Sequence, residues 1–294
     1  MITNNPISIN VEQHIGVITI DYPPVNALGQ AVRQGLMTAI EELESDDHCQ
    51  VIIIQCIGKT FIAGADIKEF GSPPLEPYLP DVVNRIEACQ KPVVASLFGT
   101  ALGGGFEVAL ACHYRVALSN SKVGLPEVNL GLIPGAGGTQ RLMRLVGVEK
   151  ALAMITSGKH MAVTEFQESG LFDAIFSIQT EQPLSDLHQM TRAFCRQLIS
   201  AETITINPVG QRQVDAENFD WDAARVSIIK NARGKIAPLA AFDVLHDSWD
   251  KSISKGMAIE RQQFIKLLSS EQSAALRYAF AAEKKAAKLS TTTT

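Results

Sequence analysis

Short β-branched runs alternating with helix-period segments constrain this chain more than any other feature. Val51–Cys56 is a continuous apolar run of strand length, and 93–98 and 114–119 are two more. Between and before them lie segments of helical period. The span 26–44 carries Leu28, Val32, Leu36, Ala39, Ile40 and Leu43 on one face, and 81–89 and 104–112 read as further helices. Residues 7–21 alternate around His14-Ile15-Gly16 and predict a hairpin. Residues 58–70 read as a loop turning into a helix at Gly64-Ala65-Asp66, and 71–80, with four prolines, as an irregular surface loop. Short helices are predicted over 139–146, 151–157 and 164–170, the last with Thr164 as N-cap and Glu165 in its first turn. Such alternation points to an α/β fold with parallel crossovers. Beyond residue 184 the pattern becomes helical, over 184–199, 221–232, 239–250, 255–268 and 270–288, with 203–206 the one candidate strand. A boundary near residue 200 follows, with a core over 1–200 and a helical region over 201–294.

Composition narrows the function classes. A net charge of −5 argues against non-specific nucleic-acid binding, which needs a basic face. Cys49, Cys56, Cys89, Cys112 and Cys195 are scattered, without a CxxC pair or a Cys/His cluster, so buried thiols in a reducing compartment are expected, and no structural zinc. The six histidines show no HExxH spacing and the chain has no GxSxG elbow, which disfavours metal-based and esterase mechanisms. The first ten residues have no secretory signal pattern, and no apolar run is long enough for a bilayer. The expectation is a soluble protein of the cytoplasm or an organelle lumen, with no nucleic-acid partner and no membrane span.

The chemistry-bearing stretch is 101–138. Gly103-Gly104-Gly105 leads into an apolar helix whose only charge is Glu107; a second carboxylate, Glu127, follows Pro126; Gly135-Ala136-Gly137-Gly138 comes next. Carboxylates in apolar surroundings beside exposed backbone N–H groups fit acid–base chemistry. The same residues also fit a tight turn and a helix start with each Glu solvated or ion-paired. Glu107 has no i±4 partner, since Gly103 and Ala111 stand at those offsets, whereas for Glu127 a surface turn stays open.

Five segments then carry a resemblance: Asp21-Tyr22-Pro23-Pro24-Val25-Asn26-Ala27-Leu28; Phe61-Ile62-Ala63-Gly64-Ala65-Asp66-Ile67-Lys68; Lys91-Pro92-Val93-Val94-Ala95; Ala101-Leu102-Gly103-Gly104-Gly105-Phe106-Glu107; and Leu125-Pro126-Glu127 running on to Ile133-Pro134-Gly135-Ala136-Gly137-Gly138-Thr139-Gln140-Arg141-Leu142. In this order and spacing they resemble the crotonase (enoyl-CoA hydratase/isomerase) superfamily over about residues 1–180. The stretch from Phe264 to Lys288 resembles the linker helix of multifunctional β-oxidation enzymes, in which a 3-hydroxyacyl-CoA dehydrogenase part follows. No GxGxxG stands between strand and helix here, so no dinucleotide site is visible; the end after a linker-like helix makes a truncated hydratase half the expectation, with a natural single-function relative as the other reading.

The resemblance implies a crotonase-type ββα spiral core with a helical C-terminal region. It implies hydration of trans-2-enoyl-CoA in fatty-acid β-oxidation, with 3-enoyl to 2-enoyl isomerisation as a second activity. The implied oxyanion hole is the N–H groups of Ala65 and Gly104. Glu127 would protonate the α-carbon, Glu107 would hold and activate the water, and Gly135 would offer that water a backbone contact. Ala63 and Ile67 would line the adenine pocket. Lys68 would attract phosphate, although a solvated lysine reads equally well. Coenzyme A enters as part of the substrate, and no separate cofactor or metal is implied. The C-terminal helices would serve homo-oligomerisation or docking to the dehydrogenase part. Rival readings are a thioester hydrolase or lyase of the same superfamily, and a non-catalytic CoA-binding module.

Overall fold

The computed structural model describes residues 5–66, 69, 73, 75–202 and 206–291. The chain opens with the hairpin β1 (Ile7–Glu12) and β2 (Ile15–Ile20), turned by Gln13 and His14, both at positive φ. Helix α1 (Gln30–Ser45) buries Val32, Leu36, Ala39, Ile40 and Leu43, the face read from the sequence. It starts four residues later than expected. Asn26 is in the left-handed region, and its buried amide donates to the carbonyls of Ile57, Thr60 and Phe61. That tie holds 26–29 out of the helix and alongside the 57–65 loop.

Strand β3 (Val51–Cys56) is buried throughout; then come α2 (Leu79–Glu87), β4 (Val93–Leu97), β5 (Thr100–Leu102), α3 (Gly104–Ala111), β6 (Tyr114–Leu118) and β7 (Lys122–Gly124). A 3-10 turn, Pro126–Leu130, precedes α4 (Gly138–Ser157), and β8 (Met161–Ala162) and β9 (Ala174–Phe176) complete the strands among the described residues. One sheet has the order β1-β2-β3-β4-β6-β9 and is parallel from β2 onward; the other is β5-β7-β8. The chain leaves β4 for β5 and then α3, and leaves β6 for β7 and then α4. Each repeat therefore places one strand in each sheet before its helix, giving a ββα spiral. The short strands β5, β7, β8 and β9 escaped the sequence reading, because two or three residues carry no measurable period.

The main sheet is covered on both faces, which explains its continuous apolar runs. Ile52, Ile54 and Cys56 of β3 join the large core beneath α1, α2 and α3. Val51 and Ile53 point the other way, toward Cys195 of α5 (Pro183–Ser200). All five cysteines are buried free thiols.

The helices expected over 139–146 and 151–157 both form, and α4 joins them across a break at Gly147, which is non-helical at φ 80°, ψ 169°. The helix expected over 164–170 is a 3-10 turn, Val163–Phe166, entered from Ala162, whose N–H donates to Glu165 Oε1. Ala65 forms a parallel bridge with Leu28, and the helical turn expected after it falls mostly outside the described residues. Ile67, Lys68, most of the 71–74 loop and residues 203–205 lie outside the described residues. The C-terminal helices α6 (Trp221–Ala232), α7 (Ala237–Ser248), α8 (Ile253–Leu268) and α9 (Glu271–Thr291) follow the predicted spans closely. Phe242 and Leu245 of α7 share one hydrophobic cluster with Leu142 of α4.

Candidate active site

The site is assembled where the turn into α3 meets the loop after β3. Gly103 adopts φ 51°, ψ −129°, a conformation closed to residues with a Cβ, and its N–H donates to Gly124 O at 2.9 Å. Gly105 lies so near the 62–65 segment that a Cβ there would stand 2.2 Å from Ile62 O. Leu102 N–H donates to the same carbonyl at 3.1 Å, and Leu28 N–H donates to Gly64 O at 2.9 Å. These contacts clamp the 62–65 segment against the start of α3.

The clamp brings the Ala65 and Gly104 backbones into one neighbourhood. A Cβ built on Gly104 would lie 4.0 Å from Ala65 N. Gly104 is the first residue of α3, where N–H groups have no partner within the helix. The bridge to Leu28 uses Leu28's own N–H, which turns that of Ala65 away from it. Neither the Ala65 nor the Gly104 N–H has an acceptor among the described residues. Leu28 and Leu79 wall this spot, at 3.2 and 2.6 Å from the same notional Cβ.

Glu107 comes one turn into α3 and is 3% exposed. Its Oε1 accepts the N–H groups of Ala136 and Gly138, both at 2.8 Å, at the start of α4. Burial raises its pKa; the two N–H donors and the nearby Arg141 guanidinium oppose that rise. Arg141 is itself fully buried and is fixed by Ala136 O, Asn84 Oδ1 and Glu87 Oε2. Glu127 stands in the 3-10 turn, its Oε1 3.1 Å from where a Cβ on Gly103 would be. Its Oε2 is buried with no hydrogen-bond donor. Burial first, then the charges of Glu107 and Glu260, holds its pKa well above the carboxylate range.

Two neighbouring acids therefore sit in different environments. One carboxylate oxygen is satisfied by two backbone donors; the other has none and is pressed by negative charge. Such a divided pair could serve as a base and an acid.

A third carboxylate, Glu260 of α8, was missed in the sequence. It is 1% exposed and accepts from Gly137 N, Thr139 N and Thr139 Oγ1 at 2.6, 3.0 and 2.5 Å. Burial and the charge of Glu107 push its pKa up to about 8. The available signal was its phase: Gly256, Glu260 and Leu267 fall on the buried stripe of α8, so the charge sits where an apolar residue belongs.

The other sequence-selected residues divide. Gly135 lies under the Phe264 ring, where a Cβ would approach to 2.6 Å. Ala63 donates its N–H to Val25 O at 3.2 Å, so that group is committed within the chain. Ile67 and Lys68 are not described. Among the described residues no group of His, Cys, Asp and Glu could hold a metal ion, and no helix is long and apolar enough to cross a membrane. His113 is structural: its Nδ1 accepts from Val93 N and its Nε2 lies 3.1 Å from Glu87 O.

Fold and site together define a crotonase-type spiral protein with paired backbone donors and a divided acid pair. The chain belongs to the enoyl-CoA hydratase/isomerase family, whose pattern matches residues 10–218. It is 39% identical over 280 residues to the peroxisomal bifunctional enzyme of Danio rerio, covering 95% of this chain and 38% of that one. It is 45% identical over 174 residues to a Bacillus subtilis (strain 168) protein named "Probable enoyl-CoA hydratase", covering 57% of this chain and 67% of that one. A crystal structure of an enoyl-CoA hydratase subunit I from Geobacillus kaustophilus HTA426 superposes with a TM-score of 0.60 at 27% identity, covering 95% of each chain. The chain spans well under half the length of the bifunctional relative.

Proposed function

We propose that this chain hydrates trans-2-enoyl-CoA to 3-hydroxyacyl-CoA, as a step of fatty-acid β-oxidation, and isomerises 3-enoyl-CoA to 2-enoyl-CoA in the same pocket. The observation that carries the reading is the divided acid pair beside two N–H groups without acceptors. The thioester oxygen docks between the Ala65 and Gly104 N–H groups, which meet the charge as it develops there. Glu107, its charge supported by two N–H donors, takes a proton from water. The hydroxyl bonds to the β-carbon as the C=C π pair moves toward the thioester. Glu127, whose raised pKa stores a proton, delivers it to the α-carbon. Gly135 offers a backbone contact to the water. Proton return between the coupled acids resets the site. Isomerisation needs only Glu127, in its ionised form, to lift a proton from the α-carbon and return it to the γ-carbon.

Ala63, Ile67 and Lys68 are proposed to flank the adenine and phosphates. Coenzyme A arrives as substrate, and the chemistry calls for no separate cofactor. A relative named as a bifunctional enzyme, of which this chain covers 38%, supports a second part as partner; we take that part to be a 3-hydroxyacyl-CoA dehydrogenase, with homo-oligomerisation through the C-terminal helices as the other arrangement. An aqueous compartment, cytoplasm or organelle lumen, suits this chemistry. Steady-state kinetics on 2-enoyl-CoA substrates of several chain lengths, beside a 3-enoyl-CoA, test the reading. Turnover of both classes is expected. Release of free coenzyme A would support the thioester-hydrolase reading instead, and saturable binding with no turnover the non-catalytic module.

A further inference from the structure

The segment that supplies donors to Glu107 is gripped from both sides. Ala136 and Gly138 give their N–H groups to Glu107 of α3, while Gly137 and Thr139 give theirs to Glu260 of α8. Successive N–H groups thus alternate between two buried carboxylates carried by helices far apart in the sequence. The Thr139 hydroxyl also donates to Glu260 and accepts from Gln140 Nε2, which donates in turn to Ser248 Oγ of α7. On α8 the neighbours of Glu260 one turn away complete the grip. Gly256 meets Gln140 so closely that a Cβ would stand 1.9 Å from its Oε1, and Phe264 lies over Gly135. Residues 256, 260 and 264 form one i, i+4, i+8 stripe facing 135–140.

We propose that Glu260 is a positioning residue for the acid–base pair: from α8 it fixes the 135–139 backbone so that Glu107 keeps both donors and the water keeps its place. The C-terminal region then completes the active site and is more than a support for the core. Truncating Glu260 leaves two N–H groups and a hydroxyl buried without an acceptor, and the segment must shift to satisfy them. Glu107 loses its fixed geometry with them, although Glu260 itself touches no substrate.

The inference rests on the hydration reading for its kinetic arm only. The full chain is compared with Glu260→Ala and Glu260→Gln. Crotonyl-CoA hydration gives kcat and KM, and amide hydrogen exchange is followed over 134–141 and, as reference, over 51–56 and 93–97. Glu260→Ala is expected to lose roughly 10²-fold in kcat, the scale for a catalytic group displaced by about 1 Å, with KM little changed. Glu260→Gln, which keeps a carbonyl acceptor, recovers a large part of that loss. Exchange should quicken in 134–141 alone. A folded Glu260→Ala enzyme with unaltered kcat overturns the proposal, and so does exchange that quickens equally in the reference strands. A wild-type chain with no hydration defeats the proposed function, while the exchange comparison, which needs no substrate, still decides the positioning claim.

Discussion

Replacing Glu107 by glutamine separates its charge from its shape. The Glu107 Oε1 is the acceptor for two buried N–H groups at 2.8 Å each. Glutamine keeps a carbonyl oxygen for both donors but cannot take a proton from water. Alanine removes the acceptor and leaves two buried donors unsatisfied, at about 1–3 kcal/mol each. For a chain of 294 residues, an unfolding entropy of about 2.1 cal/mol/K per residue sums to roughly 0.6 kcal/mol/K. The alanine variant should therefore melt on the order of 3–10 °C lower, and the glutamine variant within about 2 °C of wild type. Loss of a general base typically removes about 10²–10⁴ in rate. Crotonyl-CoA hydration, followed by loss of the conjugated-thioester absorbance, should fall by that factor in Glu107→Gln. Isomerisation of a 3-enoyl-CoA, which runs on Glu127, should fall by much less. Equal losses in the two reactions would refute the division of labour, and a glutamine variant melting as low as the alanine variant would refute the acceptor role.

Glu127→Gln should abolish both reactions to within the residual rate of the donors alone; a variant that still isomerises at wild-type speed contradicts the assignment. Gly104→Val should lower kcat by displacing Leu79 and Leu28 from beside the Ala65 and Gly104 donors, and an unchanged kcat would remove Gly104 from the oxyanion site. On the proposed mechanism hydration starts from protonated Glu127 and isomerisation from its anion, so the isomerase-to-hydratase ratio should climb as pH rises through the elevated pKa of Glu127; a pH-independent ratio argues against it. Glu107, Glu127 and Glu260 all bind protons more tightly folded than unfolded. The native state therefore holds more protons, and stability is full below the ordinary carboxylate range and declines toward the value of about 8 at Glu260. Melting temperatures that rise steadily over that interval would contradict these environments.

Much of this was legible in the sequence because its causes are local. The face of α1, the span of α8, the buried runs of β3 and β4, and the turn at Gly103 all write themselves as period or composition. Glu107 stood out as the one charge in an apolar helix. Glu127 was picked out after Pro126 with a surface turn still open for it: its buried, donor-free oxygen depends on Gly103 and Glu107 at the start of α3 and on Glu260 of α8. The hydrogen bonds of Asn26 are equally invisible in sequence, so α1 was expected four residues early. Glu260 was hidden for a related reason. A buried glutamate in an amphipathic helix reads as an imperfect stripe until the N–H groups of Gly137 and Thr139 are seen against it.

The account stands on Glu127 handing a solvent-derived proton to the α-carbon while water adds at the β-carbon. Crotonyl-CoA turned over in D2O, with the product read by proton NMR, measures this directly. The predicted product is 3-hydroxybutanoyl-CoA with a single deuterium at the α-carbon, formed by wild type and not by Glu127→Gln. Free coenzyme A with crotonate, or unlabelled α-carbon in the hydrated product, would contradict it.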